Sequence, residues 1–337
     1  MSRTSIVTEA VRSRDRRDDS TTFGTSLAVL RHHEPVSTYL EPGWIERFAE
    51  LWESLGPETK TALLELLGPD WSFEGKRVMD FGCGAGRTLR HFLPEAEDAE
   101  FWGVDIDGPS IDLLAETVSP PLHVRRCEYM PPLDLERGSF DLIWSISVFT
   151  HLTDNSLPWL LELHRLLKPG GLVIATYMGR WTSELLAGEP WDENRIGMNV
   201  LRHRHPASDG APLVLISDWW LREHWGRAFE VVAIAPQIHN QSWAVLRKRD
   251  VELTVEELER PGADPREYAA VRHNLVQAQL EIEAQERQHV DQLAAVREQA
   301  AREYAAALDQ QRRVYEESVS WRLTQPLRTA RAYLRSR

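Results

Sequence analysis

The stretch Val78-Met-Asp-Phe-Gly-Cys-Gly-Ala-Gly-Arg87 decides the fold. A short apolar run ends in Asp80, and glycines follow at 82, 84 and 86. That pattern predicts a strand, a tight turn and a helix starting near Thr88. Glycine has no Cβ, so its backbone takes positive φ and comes close to a ligand. A helix N-terminus adds N–H groups that lack intrahelical partners. Such a loop cradles a nucleotide-like cofactor, although glycine-rich turns also serve as plain structural hinges. Spacing argues against a dinucleotide: a G-x-G-x-x-G fingerprint from Gly82 needs glycine or alanine at 87, where Arg87 stands.

Phe101-Trp-Gly-Val-Asp-Ile-Asp107 reads as a second apolar strand, with Asp105 placed 19 residues after Gly86. An acid at the end of a second strand, ~20 residues past the loop, reaches both ribose hydroxyls of a bound nucleoside. The alternative role for Asp105 is capping the helix expected near Pro109, for which Asp107 is better placed. Together with the acid-x-G-x-G-x-G run from Asp80 to Gly86, this order resembles class I S-adenosylmethionine-dependent methyltransferases. Ser139 to Leu152 resembles that family's fourth strand and exit loop. Leu166 to Thr176 resembles its helix-to-fifth-strand join, where Pro169 and the following glycine pair close a helix. The resemblance runs from Arg77 to Arg249. It implies S-adenosyl-L-methionine as cofactor, held by Asp80, Gly82, Gly84, Gly86 and Arg87, with Asp105 on the ribose and Ile106 against the adenine. In Cys127-Glu-Tyr-Met-Pro-Pro132 it implies that Glu128 accepts from the adenine amino group while Tyr129 and Met130 wall the ring. The family more often carries aspartate at that place.

Strands are expected at 77–81, 101–105, 122–126, 140–146 and 171–176, with helices between them, as in a doubly wound parallel sheet. Phe229–Ile234 and Ser242–Arg247 add a closing antiparallel hairpin. The expected fold is α/β, a seven-stranded Rossmann-like methyltransferase sheet followed by a long α-helix or coiled coil. Residues 1–22 have few large apolar side chains and read as disordered; 23–250 form the sheet domain. Trp44, Phe48, Leu51, Trp52 and Leu55 share one helical face, and Pro57 is expected to start a second helix that ends at Gly68. These helices either lid the cleft or cover the sheet edge. An insertion near 178–218 is too long for a plain connection. Its Trp181, Trp191, Asp192, Glu193, Arg195, Arg202, His203, Arg204 and His205 suit a sugar or phosphorylated glycan, or an ordinary charged surface loop.

Residues 251–265 hold two prolines, a glycine and many acids, and read as a hinge. From Arg266 to Ser318 no proline or glycine occurs, which predicts a helix of roughly 80 Å at ~1.5 Å per residue. Val271, Leu275, Ala278 and Ile282 begin an apolar seam that resumes, displaced by four residues, at Leu293, Val296, Ala300, Ala307 and Val314. A four-residue displacement is a stutter, which unwinds a coiled coil locally. Gln285, His289, Glu303 and Gln310 thin the seam, so the readings are homo-oligomerisation through 266–318 or a lone solvated helix. Val319-Ser-Trp-Arg-Leu-Thr-Gln-Pro-Leu-Arg328 resembles the S-W-R-x-T-x-P-L-R element found after coiled coils in bacterial glycosyltransferases and cell-surface polysaccharide proteins. Residues 319–337 hold five arginines and no acid. As a basic amphipathic tail they suit an anionic membrane surface, against a plain solvated tail.

The net charge of −13 argues against a nucleic-acid enzyme. Two cysteines are too few for a disulfide framework and fit a reduced cytoplasmic setting. No secretory leader is recognisable at the N-terminus, and no apolar run approaches the ~20 residues of a membrane span. Methylating a hydroxyl calls for a base. His151, just past the fourth strand, is the first candidate; His239 in the closing hairpin is the second, followed by His203 and His205. No metal triad is recognised, although Asp154, Asp192 and Glu193 are spare carboxylates. The expected acceptor is a saccharide or lipid-linked glycan of cell-surface polysaccharide biosynthesis; the alternatives are a scaffold for that assembly, or methylation of a small metabolite or protein.

Overall fold

The computed structural model describes residues 44–184, 190–201 and 212–335, with side chains from Ser54 onward. The 1–22 segment, Arg202, His203, Arg204 and His205 lie outside the described residues. In chain order, α1 (Trp44–Leu67) precedes β1 (Arg77–Phe81), β2 (Glu100–Asp105), α2 (Gly108–Thr117), β3 (His123–Arg126), β4 (Phe140–Ser145), α3 (Ser156–Leu166) and β5 (Leu167–Tyr177). A hairpin of β6 (Met198–Leu201) and β7 (Leu213–Ile216) follows, then α4 (Asp218–Ala228), β8 (Phe229–Ile238) and β9 (Gln241–Lys248). After them come α5 (Val255–Glu259) and α6 (Arg266–Glu317).

Alternating side chains make the layers, because successive residues of a strand point to opposite faces. Val78, Leu142, Trp144 and Ile174 enter one apolar cluster, with Leu63 of α1 and Leu114 of α2. Their neighbours Met79, Ile143, Val173 and Ala175 enter another, with α3 and α4. Both faces are thus buried, as parallel strands require. The sheet runs β3-β2-β1-β4-β5-β9-β8, with β9 antiparallel to its two neighbours. Strand order reverses between β1 and β4, which opens a crevice at the carboxyl ends of the strands. This is the expected seven-stranded α/β sheet.

Several local expectations need correction. No α-helix follows the glycine loop; two 3₁₀ turns do, Leu89–Phe92 and Glu95–Glu97. Pro94 lacks the N–H that a helix would need there, and the short turn instead drives Leu89 and Phe92 into the core, with Phe92 stacked 4.7 Å from Trp144. Conversely, Pro57 does not restart a helix: α1 runs through it unbroken. The preceding residue is Gly56, which has no Cβ to crowd the proline ring. The fifth strand begins at Leu167, earlier than expected, and the insertion contains the β6–β7 hairpin.

The expected hinge is a docked element. Thr254 and Glu257 form a reciprocal cap on α5, and Leu258 is fully buried in the core. Arg227 of α4 donates to the carbonyls of Glu257, Leu258 and Arg260. The root of α6 is held likewise. His224 donates from Nδ1 to the Leu258 carbonyl at 2.7 Å, its Nε2 lies 3.0 Å from the Glu267 carboxylate, and Ala270 is buried. Residues 279–337 make a second unit. In it α6 continues without a break to Glu317, followed by α7 (Val319–Leu323) and α8 (Gln325–Arg335). Among the described residues no helix is long and apolar enough to cross a membrane.

Because Leu258 fills the core, Leu258→Ala should cost about 2–5 kcal/mol, read as a lowered midpoint in urea unfolding. A chain ending at Lys248 should unfold far more easily than one ending at Ala278. Equal midpoints would mean that the 253–270 segment contributes nothing to the domain.

Candidate active site

The loop after β1 is shaped by its own fold before any ligand is considered. Gly82, Gly84 and Gly86 have φ of +84°, +50° and +77°, a region L side chains rarely adopt. A Cβ on Gly82 would stand 2.1 Å from Val148 Cγ2, and one on Gly86 2.6 Å from Leu114 Cδ2. The N–H groups of Gly82 and Cys83 donate to the Val104 carbonyl at 2.7 and 3.2 Å. The Gly84 N–H donates to Asp105 Oδ2 at 2.6 Å, while Asp105 Oδ1 accepts from the Asp107 N–H at 2.9 Å. Asp107 occupies the N-cap position of α2, where its carboxylate accepts from the Ser110 hydroxyl.

A cavity of about 510 Å³ opens at this point, within the range of pockets that hold a nucleoside-sized ligand. Of the expected cofactor residues, Gly82, Gly84, Arg87, Asp105, Ile106, Glu128 and Tyr129 line it. Asp80 and Gly86 do not; they lie behind the loop, buried. Burial pushes the Asp80 carboxyl up to about 7; the Trp144 indole and the Arg87 guanidinium oppose that rise and the charge of Asp105 adds to it. Ile106 and Tyr129 remain 49% and 51% exposed at the rim. Two half-exposed apolar side chains flanking a carboxylate fit a purine ring and a ribose. The Cys83 and Cys127 thiols are buried, and burial raises both, Cys127 to about 12.

A second wall escaped the sequence reading. Val148, Leu152, Asn155 and Trp159 line the cavity from the segment that leads into α3. Their steps of four, three and four were the available signal of one helical face. The Trp159 ring packs 4.7 Å from that of Phe81, and its indole N–H and the Asn155 amide both donate to the Tyr129 carbonyl. Tyr129 in turn donates its hydroxyl to Asp154 at 2.6 Å, a bond that raises the phenol and lowers the acid.

The two histidine candidates separate. His151 lines the cavity, and its Nδ1 lies 2.8 Å from the Pro212 carbonyl. A carbonyl only accepts, so Nδ1 carries the hydrogen and Nε2 of the neutral ring keeps a lone pair. His239 is not part of the lining; it faces Glu58 at 3.4 Å. Among the described residues no group of three metal-ligating side chains occurs. Asp192 pairs with Arg195, and Glu193 accepts from Trp191.

Residues 79–173 match the family model for a methyltransferase domain. The 2-methyl-6-phytyl-1,4-hydroquinone methyltransferase of Synechocystis sp. is 26% identical over 159 residues, 43% of this chain and 46% of that protein. A tRNA N(3)-methylcytidine methyltransferase of Schizosaccharomyces pombe is 28% identical over 181 residues, 50% of this chain and 56% of that one. The chloroplastic tocopherol O-methyltransferase of Arabidopsis thaliana is 31% identical over 128 residues, 35% of each chain. The chain thus spans about half the length, or less, of these relatives. Over residues 79–173 the chain is similar to methyltransferase domains, and its sheet order and glycine loop agree with that likeness. S-adenosylmethionine is the cofactor class that goes with it.

Asp80 gives this domain a pH signature. In the free protein its carboxyl keeps a proton up to about pH 7, whereas a cationic cofactor favours the ionised form. The complex then binds fewer protons than the free protein, so cofactor affinity should climb as pH rises toward 7 and level off above it. The same shift makes folding stability fall as pH rises from the ordinary 3.8 toward 7. Calorimetric titration with S-adenosylmethionine from about pH 5.5 to 8.5 checks the affinity; Asp80→Asn should flatten the curve.

Proposed function

We propose that the protein is an S-adenosylmethionine-dependent O-methyltransferase acting on a saccharide or lipid-linked glycan in cell-surface polysaccharide assembly. The long helix would associate copies of the chain, and the basic tail would hold them at an anionic membrane surface. The observation that carries the chemistry is the His151–Pro212 hydrogen bond. It leaves Nε2 as proton acceptor on a side chain that lines the cavity, and an alcohol, whose pKa lies far above neutrality, is the acceptor that needs such a base.

Bound in this cavity, S-adenosylmethionine supplies an electrophilic methyl group on a sulfonium centre. Asp105 would hold the ribose hydroxyls, Ile106 and Tyr129 would flank the adenine, and Glu128 would accept from its amino group. Phe81, Val148 and Leu152 exclude water from the reacting end. His151 would take the acceptor's proton at Nε2 as the hydroxyl oxygen attacks. Holding the two reactants in line at the β1–β4 crevice supplies much of the acceleration.

The glycan assignment draws support from the tail element Trp321 to Arg328 and from the polar turn Gln237–Gln241. In that turn the Gln241 amide donates to the hydroxyl of the cavity-lining Ser147 at 2.9 Å. A second reading, methylation of a small amphiphilic metabolite, is favoured by the relatives whose names specify a phytyl hydroquinone and tocopherol. The net charge of −13 disfavours the RNA acceptor of the tRNA methyltransferase relative.

Incubating the purified protein with lipid-linked glycans, free saccharides and prenylated quinols, and measuring S-adenosylhomocysteine release, separates the two readings. His151→Ala should lower turnover on the true acceptor by ~10²–10⁴ with cofactor affinity nearly intact. Unchanged turnover, with chemistry limiting the rate, would remove His151 from the reaction.

A further inference from the structure

The break between α7 and α8 is closed by a clasp. Ser318 follows α6 and caps α7, its hydroxyl accepting from the Trp321 N–H at 3.3 Å. From α8, Arg328 reaches back across Thr324. Its guanidinium lies 3.6 Å from the centroid of the Trp321 ring, close enough for cation–π stacking. Its Nη2 donates to the Trp321 carbonyl and its Nη1 to the Thr324 hydroxyl oxygen, both at 2.6 Å. The Thr324 hydroxyl donates onward to the Ser320 carbonyl at 2.8 Å. Arg328 is half-buried as a result, whereas Arg322, Arg331 and Arg335 are exposed.

The helix so fixed is sharply two-faced. At about 100° per residue, Leu327, Ala330 and Leu334 share an arc of roughly 60°, and the three arginines of α8 share the adjoining one. Leu327 and Leu334 are 72% and 75% exposed. Residues 319–337 carry five positive charges and no negative one, so by difference from −13 the rest of the chain carries −18. A short helix with bare leucines on one side and arginines beside them matches an anionic lipid surface, where acyl chains take the leucines and phosphates take the arginines.

We propose that α7 and α8 form a preformed docking surface for anionic phospholipid, in which Leu327 and Leu334 enter the acyl boundary and Arg331 and Arg335 meet headgroup phosphates. Arg328 serves the clasp. This deepens the membrane part of the function proposed above and is independent of methyl transfer. The arginines consequently differ in kind: at 331 and 335 only charge matters, while at 328 the planar guanidinium matters, because lysine lacks a flat forked group that stacks on the ring while donating to both oxygens.

The test uses full-length protein, flotation with phosphatidylcholine vesicles with and without about a third phosphatidylglycerol, and hydrogen exchange over 319–335. The wild type should float only with the anionic vesicles and be released by salt. Arg331→Lys and Arg335→Lys should bind as wild type, while charge reversal at both should weaken binding at least ~25-fold, about fivefold per site. Leu327→Glu with Leu334→Glu should weaken it more than tenfold. Arg328→Lys should speed exchange over 319–335 and weaken binding severalfold with no change of charge. The proposal is overturned if the wild type ignores anionic vesicles or binds neutral ones equally. It is overturned likewise if Arg328→Lys matches Arg331→Lys in both readouts. If the leucine variant dissociates an oligomer but still floats, the face belongs to a second copy of the chain and the proposal fails. Calorimetry with S-adenosylhomocysteine on the same samples keeps the readings apart. Lost flotation with intact cofactor binding sinks the docking alone, whereas absent cofactor binding sinks methyl transfer alone.

Discussion

The site depends on one carboxylate. Asp105 accepts from the Gly84 and Asp107 N–H groups through separate oxygens, so it ties the loop after β1 to the start of α2 across two strands. Charge-assisted bonds of this kind are among the strong ones in a fold. The glycine loop keeps its open shape because an acid on the neighbouring strand holds its midpoint. The residue expected to meet the ribose therefore also sets the geometry of the cradle, and Asp105→Ala would loosen the loop as well as remove a ligand contact.

On the other side of the crevice, strain is concentrated. Ser147 sits at φ +62°, with its N–H donated to the Thr176 hydroxyl oxygen at 2.7 Å. The other non-glycine residues with positive φ among the described residues are Gln237, His239 and Asn240. Gln237 lies in the irregular end of β8, and His239 and Asn240 form the turn that leads to Gln241, which bonds to Ser147. Left-handed backbone at non-glycine residues persists only where surrounding bonds enforce it, and it gathers at functional sites. The half of the sheet beyond β4 thus braces the cavity-lining Ser147 with a corner of polar hydrogen bonds.

The sheet was legible because the information is local. The apolar runs at Val78–Phe81 and Phe140–Ser145, the glycine spacing and the acid at 105 each report a strand or its end within a few residues. The docking of 251–265 was not, since it depends on Arg227 and His224, which meet that segment only in three dimensions. The Thr254–Glu257 capping box is a local feature of the segment, but its two prolines and glycine make the stretch read as a hinge. Pro94 is the local feature that disfavours a longer helix after the loop. The second cavity wall was missed because Val148, Leu152, Asn155 and Trp159 cross from a loop into α3, which masks their common face. Position along the chain ranks His151 above His239, but the Pro212 carbonyl and the Glu58 carboxylate that separate them meet the rings only in three dimensions.

The contact between Gly82 and Val148 has an evolutionary side. A methyl group at position 82 would occupy the volume already filled by a Val148 methyl, so the two positions share one small space although 66 residues separate them. Alanine at 82 is sterically admissible only when 148 shrinks, and the positive φ at 82 still penalises it. Substitutions at the pair should therefore be strongly non-additive. In divergent descendants of this chain, side-chain bulk at 82 and 148 should trade off, a linked pair that neither position reveals by itself.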